Sequence, residues 1–106
     1  MVSGEVIKKV KEYLNELSSK GVHISRAFIY GSQIHGTATE DSDIDLMLVS
    51  PLFDEDTDKF APVLWLSTRR TNHRTEPIAV GEKRFQTDEY SPLIAIVQQE
   101  GIEVAV

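Results

Sequence analysis

Three carboxylates and one glycine–serine step carry most of the chemistry open to this sequence. Asp43 and Asp45 stand at the head of an apolar run, Asp43-Ile44-Asp45-Leu46-Met47-Leu48-Val49. Such a run reads as a strand, and a strand turns its side chains over with a period of two. Both carboxylates therefore share one face, and Ile44, Leu46 and Leu48 fill the other. Two anions held so close repel each other, and each carboxyl pKa rises unless a cation lies between them. A hard divalent ion such as Mg²⁺ meets that need, because it prefers oxygen ligands and takes one or two carboxylates together with substrate phosphates. An isolated Asp-x-Asp is more often a solvated strand start, so the pair needs company.

Two further features supply it. Glu76 lies in the segment Thr75 to Val80, which reads as a third strand, and there it shares a face with Ile78 and Val80. A carboxylate on an apolar face is costly unless it is paired or metal-bound. Glu76 is thus a candidate third ligand, brought to the aspartates by strand adjacency, or else a partner for an arginine such as Arg74. Gly31-Ser32 ends the short apolar run Arg26 to Tyr30. A strand closing on Gly-Ser before a helical turn offers backbone N–H groups and a hydroxyl to an anion.

The elements that must position these groups follow from periodicity. Val6, Val10, Tyr13, Leu14 and Leu17 recur at helical spacing, so a helix is expected over 5–19, with Ser3 as cap and Gly21 as stop. Strands are expected at 26–30 and 43–49, with a loop over 36–42. A helix is expected from about 54–58 to Thr71, either kinked at Pro62 or starting there. Pro77 assigns the third strand to an edge or a bulge. Ser91-Pro92 opens a helix over 93–100 that ends at Gly101. Residues 102–106 form an apolar tail, a strand or a docking segment. The fold class is α/β (α+β): a small mixed β-sheet with helices packed on it.

Gly31-Ser32, ten intervening residues, then Asp43-x-Asp45 is a spaced pattern, and with its flanks it resembles the signature of the DNA polymerase β-like nucleotidyltransferase superfamily. The entering segment is Phe28-Ile29-Tyr30-Gly31-Ser32. The leaving segment is Gly36-Thr37-Ala38-Thr39-Glu40-Asp41-Ser42-Asp43-Ile44-Asp45-Leu46. Size, element order and Arg74-Thr75-Glu76-Pro77-Ile78 are similar to the minimal nucleotidyltransferase (MNT) domains. The resemblance covers residues 5 to 105 and implies one such domain over 1–106, with the polymerase β-like fold. It implies Mg²⁺, in a two-metal site, held by Asp43, Asp45 and Glu76. It implies ATP or another nucleoside triphosphate bound at Gly31, Ser32, Asp43 and Asp45, with Glu76 as third ligand and base. Two places depart from the pattern. Many members carry a small residue and then Arg or Lys after Gly-Ser, where this chain has Ile34 and His35. The resemblance therefore implies a grip on triphosphate that is weaker here, or pH-dependent through His35.

With 106 residues, no separate acceptor domain fits. The expected acceptor is a hydroxyl on a partner, since minimal domains in this family are paired with small helical HEPN proteins in toxin–antitoxin systems. The alternative is an antitoxin-like protein that neutralises such a partner by binding. A homo-oligomer is compatible with either.

Composition narrows the remaining classes. Asp plus Glu is 17 against 11 Lys plus Arg, a net charge of −6, which argues against nucleic acid as partner. No apolar run approaches the ~20 residues of a membrane span. There is no cysteine, which excludes disulfides and thiolate chemistry. A cytoplasmic location is the expectation. Arg69, Arg70, His73 and Arg74 form a basic cluster, either a solvated helix end or a contact for triphosphate or an acidic partner surface. Trp65 reads as core or a packing anchor, or else as a partner contact; Phe85 and Tyr90 read as packing residues, and His23 as surface.

Overall fold

The computed structural model describes residues 2–36, 38–39, 42–72 and 74–106. Its elements are α1 (Gly4–Ser19), β1 (Arg26–Tyr30), α2 (Ser32–His35), β2 (Ile44–Ser50), α3 (Ala61–Thr71), β3 (Thr75–Gly81), α4 (Glu82–Thr87), α5 (Pro92–Glu100) and β4 (Ile102–Val104). Two 3-10 turns, Pro51–Phe53 and Asp58–Phe60, lead from β2 to α3. The strands form one sheet in the order β3-β2-β1-β4. β1 runs antiparallel to both β2 and β4, while β2 and β3 are parallel, joined through α3. The sheet is mixed, as expected.

Alternation along the strands sorts the core into two layers. Ala27, Ile29, Ile44, Leu46 and Leu48 pack beneath α1 and α3, against Val10, Tyr13, Leu14, Leu17 and Leu64. Phe28, Tyr30, Met47, Val49 and Val80 face the other way, toward Phe85 of α4 and Ile94 and Val97 of α5. Both faces of the central strands are thus covered, which explains why β2 reads as a nearly continuous apolar run. Tyr13 is fully buried, and its hydroxyl donates 2.7 Å to the Leu64 carbonyl, tying α1 to α3. Burial raises its pKa, so it stays a neutral donor. Tyr13→Phe should cost about 1 kcal/mol, the net worth of one buried hydrogen bond. In thermal unfolding that is a fall of roughly 4–8 °C for a domain near this size. An unchanged midpoint would show that the bond contributes nothing.

Local signals account for most boundaries. Ser3 caps α1, accepting from the Val6 N–H at 3.2 Å, and Ser91 caps α5 by accepting from Ile94 at 3.2 Å. Pro62 lies in the first turn of α3, so the helix starts there and does not kink. The polar stretch expected to open that helix forms the 3-10 turns instead. Pro77 sits in β3 at the sheet edge, with continuous pairing to β2 and no bulge. The tail makes a strand, β4, locked to β1 by Arg26, whose Nη2 lies 2.8 Å from Glu103.

The structure departs from the sequence reading in several places. Trp65 is 52% exposed and Tyr90 92% exposed, so neither is a core residue. Both stand on surfaces where the sequence shows an apolar residue but not which way it faces. Residues 82–87 form a helix, α4, that no apolar period announces. Phe85 is its only buried residue, and its ring stacks on Phe28 at 5.1 Å. Asp43 precedes β2 and is not part of it.

Candidate active site

β1 ends at Tyr30, and the chain turns at Gly31 with φ +76° and ψ −142°. That conformation is open essentially to glycine alone. The position is crowded as well, because a Cβ on Gly31 would run into the Asp45 carboxylate. Glycine here serves two purposes: it permits the turn, and it leaves room for Asp45. The turn feeds α2, a single helical turn opened by Ser32, with Ile34 donating back to the Gly31 carbonyl at 3.1 Å. Gln33 is buried and donates to the Asp43 carbonyl at 3.2 Å. α2 is thereby fastened to the residue that leads into β2.

Strand register assembles the acidic group. Tyr30 of β1 pairs with Asp45 of β2, and Asp45 pairs with Glu76 of β3. Residues opposite one another in a sheet share a face. Tyr30, Asp45 and Glu76 therefore form one row across three strands, with Asp43 two residues before Asp45. This is the face of Met47, Val49 and Val80, and the carboxylates occupy its outer rim beyond the apolar residues. Glu76 and Ile78 are exposed and Val80 is buried, so the face shared by these three runs from solvent into the core.

The carboxylates feel one another. Burial raises the Asp45 pKa, the Asp43 charge adds to this, and a hydrogen bond with Glu76 partly offsets it. Desolvation, the Asp43 charge and hydrogen bonding to Asp43 and Asp45 all raise Glu76. Hydrogen bonds between carboxyls require a proton, so the cluster holds one more tightly than separate acids would. Burial, with the charges of Asp45 and Glu76, pushes Tyr30 up to about 12. The donor set is all oxygen and crowded with negative charge, which fits a hard divalent cation. Among the described residues, however, no group of three His, Cys, Asp or Glu side chains is arranged to hold a metal ion. The row is brought together without being closed into a cage.

A pH dependence follows. An acid with a raised folded-state pKa contributes stability below its unfolded value, and that contribution is lost as pH rises through the raised value. Glu76→Gln should therefore raise the thermal midpoint of the metal-free chain by a few degrees at neutral pH. The gain should vanish as pH falls below about 4, where the native carboxyls are protonated anyway. A midpoint that drops at neutral pH would mean that Glu76 is not under repulsion.

The remaining candidates separate. Ile34 packs into the core layer with α5. His35 Nε2 lies 3.1 Å from Glu100 of α5. Arg74 lines a cavity of about 830 Å³ together with Lys9, Gln33, Gly36 and Ser42. Ser42 and Ile44 line that cavity while Asp43 between them does not, so the cavity and the acidic row adjoin through the start of β2 without coinciding. Arg69 and Arg70 are exposed near the end of α3, and His73 lies outside the described residues, as do Thr37, Glu40 and Asp41 of the motif loop. His23 is exposed, as expected. Tyr30 and Gln33 were not singled out by the sequence. The strand period places Tyr30 on a face, but only pairing places it beside Asp45. Nothing local marks Gln33.

The family model for the nucleotidyltransferase domain matches residues 7–105, nearly the whole chain. The chain belongs to the nucleotidyltransferase domain family. Its fold is that of the polymerase β-like superfamily, and the mixed sheet with packed helices is the architecture expected of a member. A crystal structure of a Sulfolobus solfataricus protein, described as a candidate nucleotidyltransferase, superposes with a TM-score of 0.59. The two share 17% identity over 92% of this chain and 77% of that one, which shows likeness of fold alone. No curated protein sequence matches. Among the described residues no helix of this nucleotidyltransferase-domain chain is long and apolar enough to cross a membrane.

Proposed function

We propose that this chain transfers a nucleoside monophosphate, AMP from ATP, to a hydroxyl acceptor with release of pyrophosphate. The observation that carries this reading is the row Tyr30–Asp45–Glu76 beside the Gly31 turn, which sets paired carboxylates next to the start of α2. On this reading Asp43, Asp45 and Glu76 would close on Mg²⁺, which they are not arranged to hold in the metal-free chain. The ion would supply charge neutralisation for the phosphates and the leaving pyrophosphate.

The chain's own residues do the rest. Ser32 and the backbone at Gly31 hold the outer phosphates. Catalysis of such transfers is mostly positioning and electrostatics, so a small domain suffices. The acceptor oxygen bonds to the α-phosphorus as the bond from that phosphorus to the bridging oxygen breaks. Pyrophosphate takes the bond electrons. Glu76, at the exposed end of the row, takes the acceptor proton and returns it to solvent. The cavity beside Ser42 and Arg74 has the volume to take the nucleoside or part of the acceptor. The acceptor is a side-chain hydroxyl of a partner protein, a small helical protein of the HEPN type. An ATP-consuming role of this kind fits the cytoplasm.

One observation favours a second reading. Ile34 packs against the core and His35 is engaged with Glu100, so the two places expected to carry a small and a basic residue offer little to triphosphate. On that reading the protein acts as an antitoxin by binding its partner, with weak catalysis. Calorimetry with ATP, with and without Mg²⁺, separates the two. Metal-dependent binding is expected. Absence of heat at millimolar ATP would overturn the enzymatic reading of the isolated chain.

A further inference from the structure

α3 is buried on one side only. Leu64, Ser67 and Thr68 face inward, whereas Pro62, Trp65, Leu66, Arg69 and Arg70 are exposed. Those positions recur at steps of three and four, so they form one stripe along the helix. Trp65 is 52% and Leu66 55% exposed. Adjacent exposed Trp and Leu are uncommon on a free surface, and Trp is enriched at the centres of interfaces.

The stripe has a charge order as well. Just ahead of α3, Glu55, Asp56 and Asp58 are exposed. At its other end stand Arg69 and Arg70. From the acidic turn into α3 the exposed residues therefore read acidic, apolar, basic along the chain. Such an order is self-complementary when two copies lie antiparallel. Asp58, in the 3-10 turn that runs into α3, and Arg70 are twelve positions apart, with their midpoint beside Trp65. A twofold axis there sets Trp65 and Leu66 against their counterparts and brings each basic end to the other copy's acidic end. That is an isologous contact. One detail leaves the basic end available. Arg70 reaches Glu16 of its own chain only at 3.9 Å and stays 73% exposed, so that tie is weak. A second copy is favoured over an unrelated partner because the chain itself carries both complementary ends.

We propose that α3 is a homodimer interface, with two copies packed antiparallel about a twofold axis at Trp65 and Leu66. The inference does not depend on the catalytic reading.

Trp65 is the only tryptophan, so it reports on the contact directly. Sedimentation velocity and tryptophan emission should be followed together over a dilution series. A dimer is expected at high micromolar concentration, with emission blue-shifted relative to the dilute chain. The dimer should loosen as salt is raised, because its charged ends are screened. Arg69→Glu/Arg70→Glu should weaken it by at least about tenfold, the cost of several like-charge contacts. Adding Glu55→Lys/Asp58→Lys to the same chain should restore it, since the two ends are then complementary again. Circular dichroism melts establish that each variant is folded, and the wild-type dilution series stands without them. A monomer throughout, with the emission of an exposed indole, would overturn the proposal. So would a dimer whose emission is constant on dilution and whose mass is indifferent to the arginine reversal.

Discussion

Asp43→Asn/Asp45→Asn is expected to abolish Mg²⁺-dependent ATP binding while leaving the chain folded. Asn keeps the shape of Asp and removes the charge. Asp45 is partly buried with a raised pKa, and its pairings to Tyr30 and Glu76 are made by the backbone. The row therefore survives the substitution, and its mutual repulsion is relieved. The metal-free variant should melt at or above the wild-type temperature near neutral pH. Transfer activity should fall by at least about 10³-fold, since electrostatic stabilisation of developing charge is among the largest catalytic terms. Calorimetry with ATP and Mg²⁺, run beside a thermal melt, reads both effects. Metal-dependent binding retained by a folded double variant would remove the carboxylates from the site.

The second large effect is expected at Gly31. Gly31→Ala forces a side chain into a conformation that costs about 1–3 kcal/mol for any residue but glycine. Its Cβ also occupies the space of the Asp45 carboxylate, so that carboxylate must move. Misplacement of a reacting group by an ångström can cost 10²-fold in rate, and a loss of about that size is expected here. Gly21 provides the control. It also has a positive φ, +81°, but a Cβ there meets nothing within 4 Å. Gly21→Ala should lower the melting temperature and leave the specific activity of the folded fraction unchanged. Equal activity losses in the two variants would mean that strain alone, not the displaced Asp45, explains Gly31.

The two substitutions test different links of one argument. The double aspartate change removes charge and keeps geometry. The glycine change keeps charge and moves geometry. Glu76→Gln lies between them, because it should stabilise the metal-free chain while removing the group assigned as base. A site that gains stability on losing its acidic residues is one in which the fold holds like charges together against their repulsion.

Much of this protein is determined by its sequence read alone. The period of two along β2 already puts Asp45 on the face of Met47 and Val49, and Asp43, just ahead of the strand, reaches the same cluster through Glu76. Gly31-Ser32 already marks the turn that ends β1 and opens α2. Cap residues and prolines mark α1, α3 and α5 to within a few positions, and the spacing of Gly-Ser and Asp-x-Asp suffices for the family. All of these except the contact between Asp43 and Glu76 are local properties, set by side chains within a few residues of one another.

Tertiary structure decided the rest, for identifiable reasons. Glu76 is separated from Asp45 by the whole of α3, and only the packing of that crossover against the sheet selects the register that makes them neighbours. A slip of one residue would have turned Glu76 to the opposite face. Trp65 and Leu66 lie in a helix with apolar residues on both sides, so hydrophobicity alone does not say which side is buried. The answer comes from α1, which packs on the side of Leu64. α4 has no apolar period, and its first turn is satisfied from a distance, the Lys83 N–H donating to the Asp54 carboxylate at 3.2 Å. His35 meets Glu100 only because α2 and α5 end side by side. The sequence thus names the residues that can do chemistry, and the packing of helices on the sheet decides which of them meet.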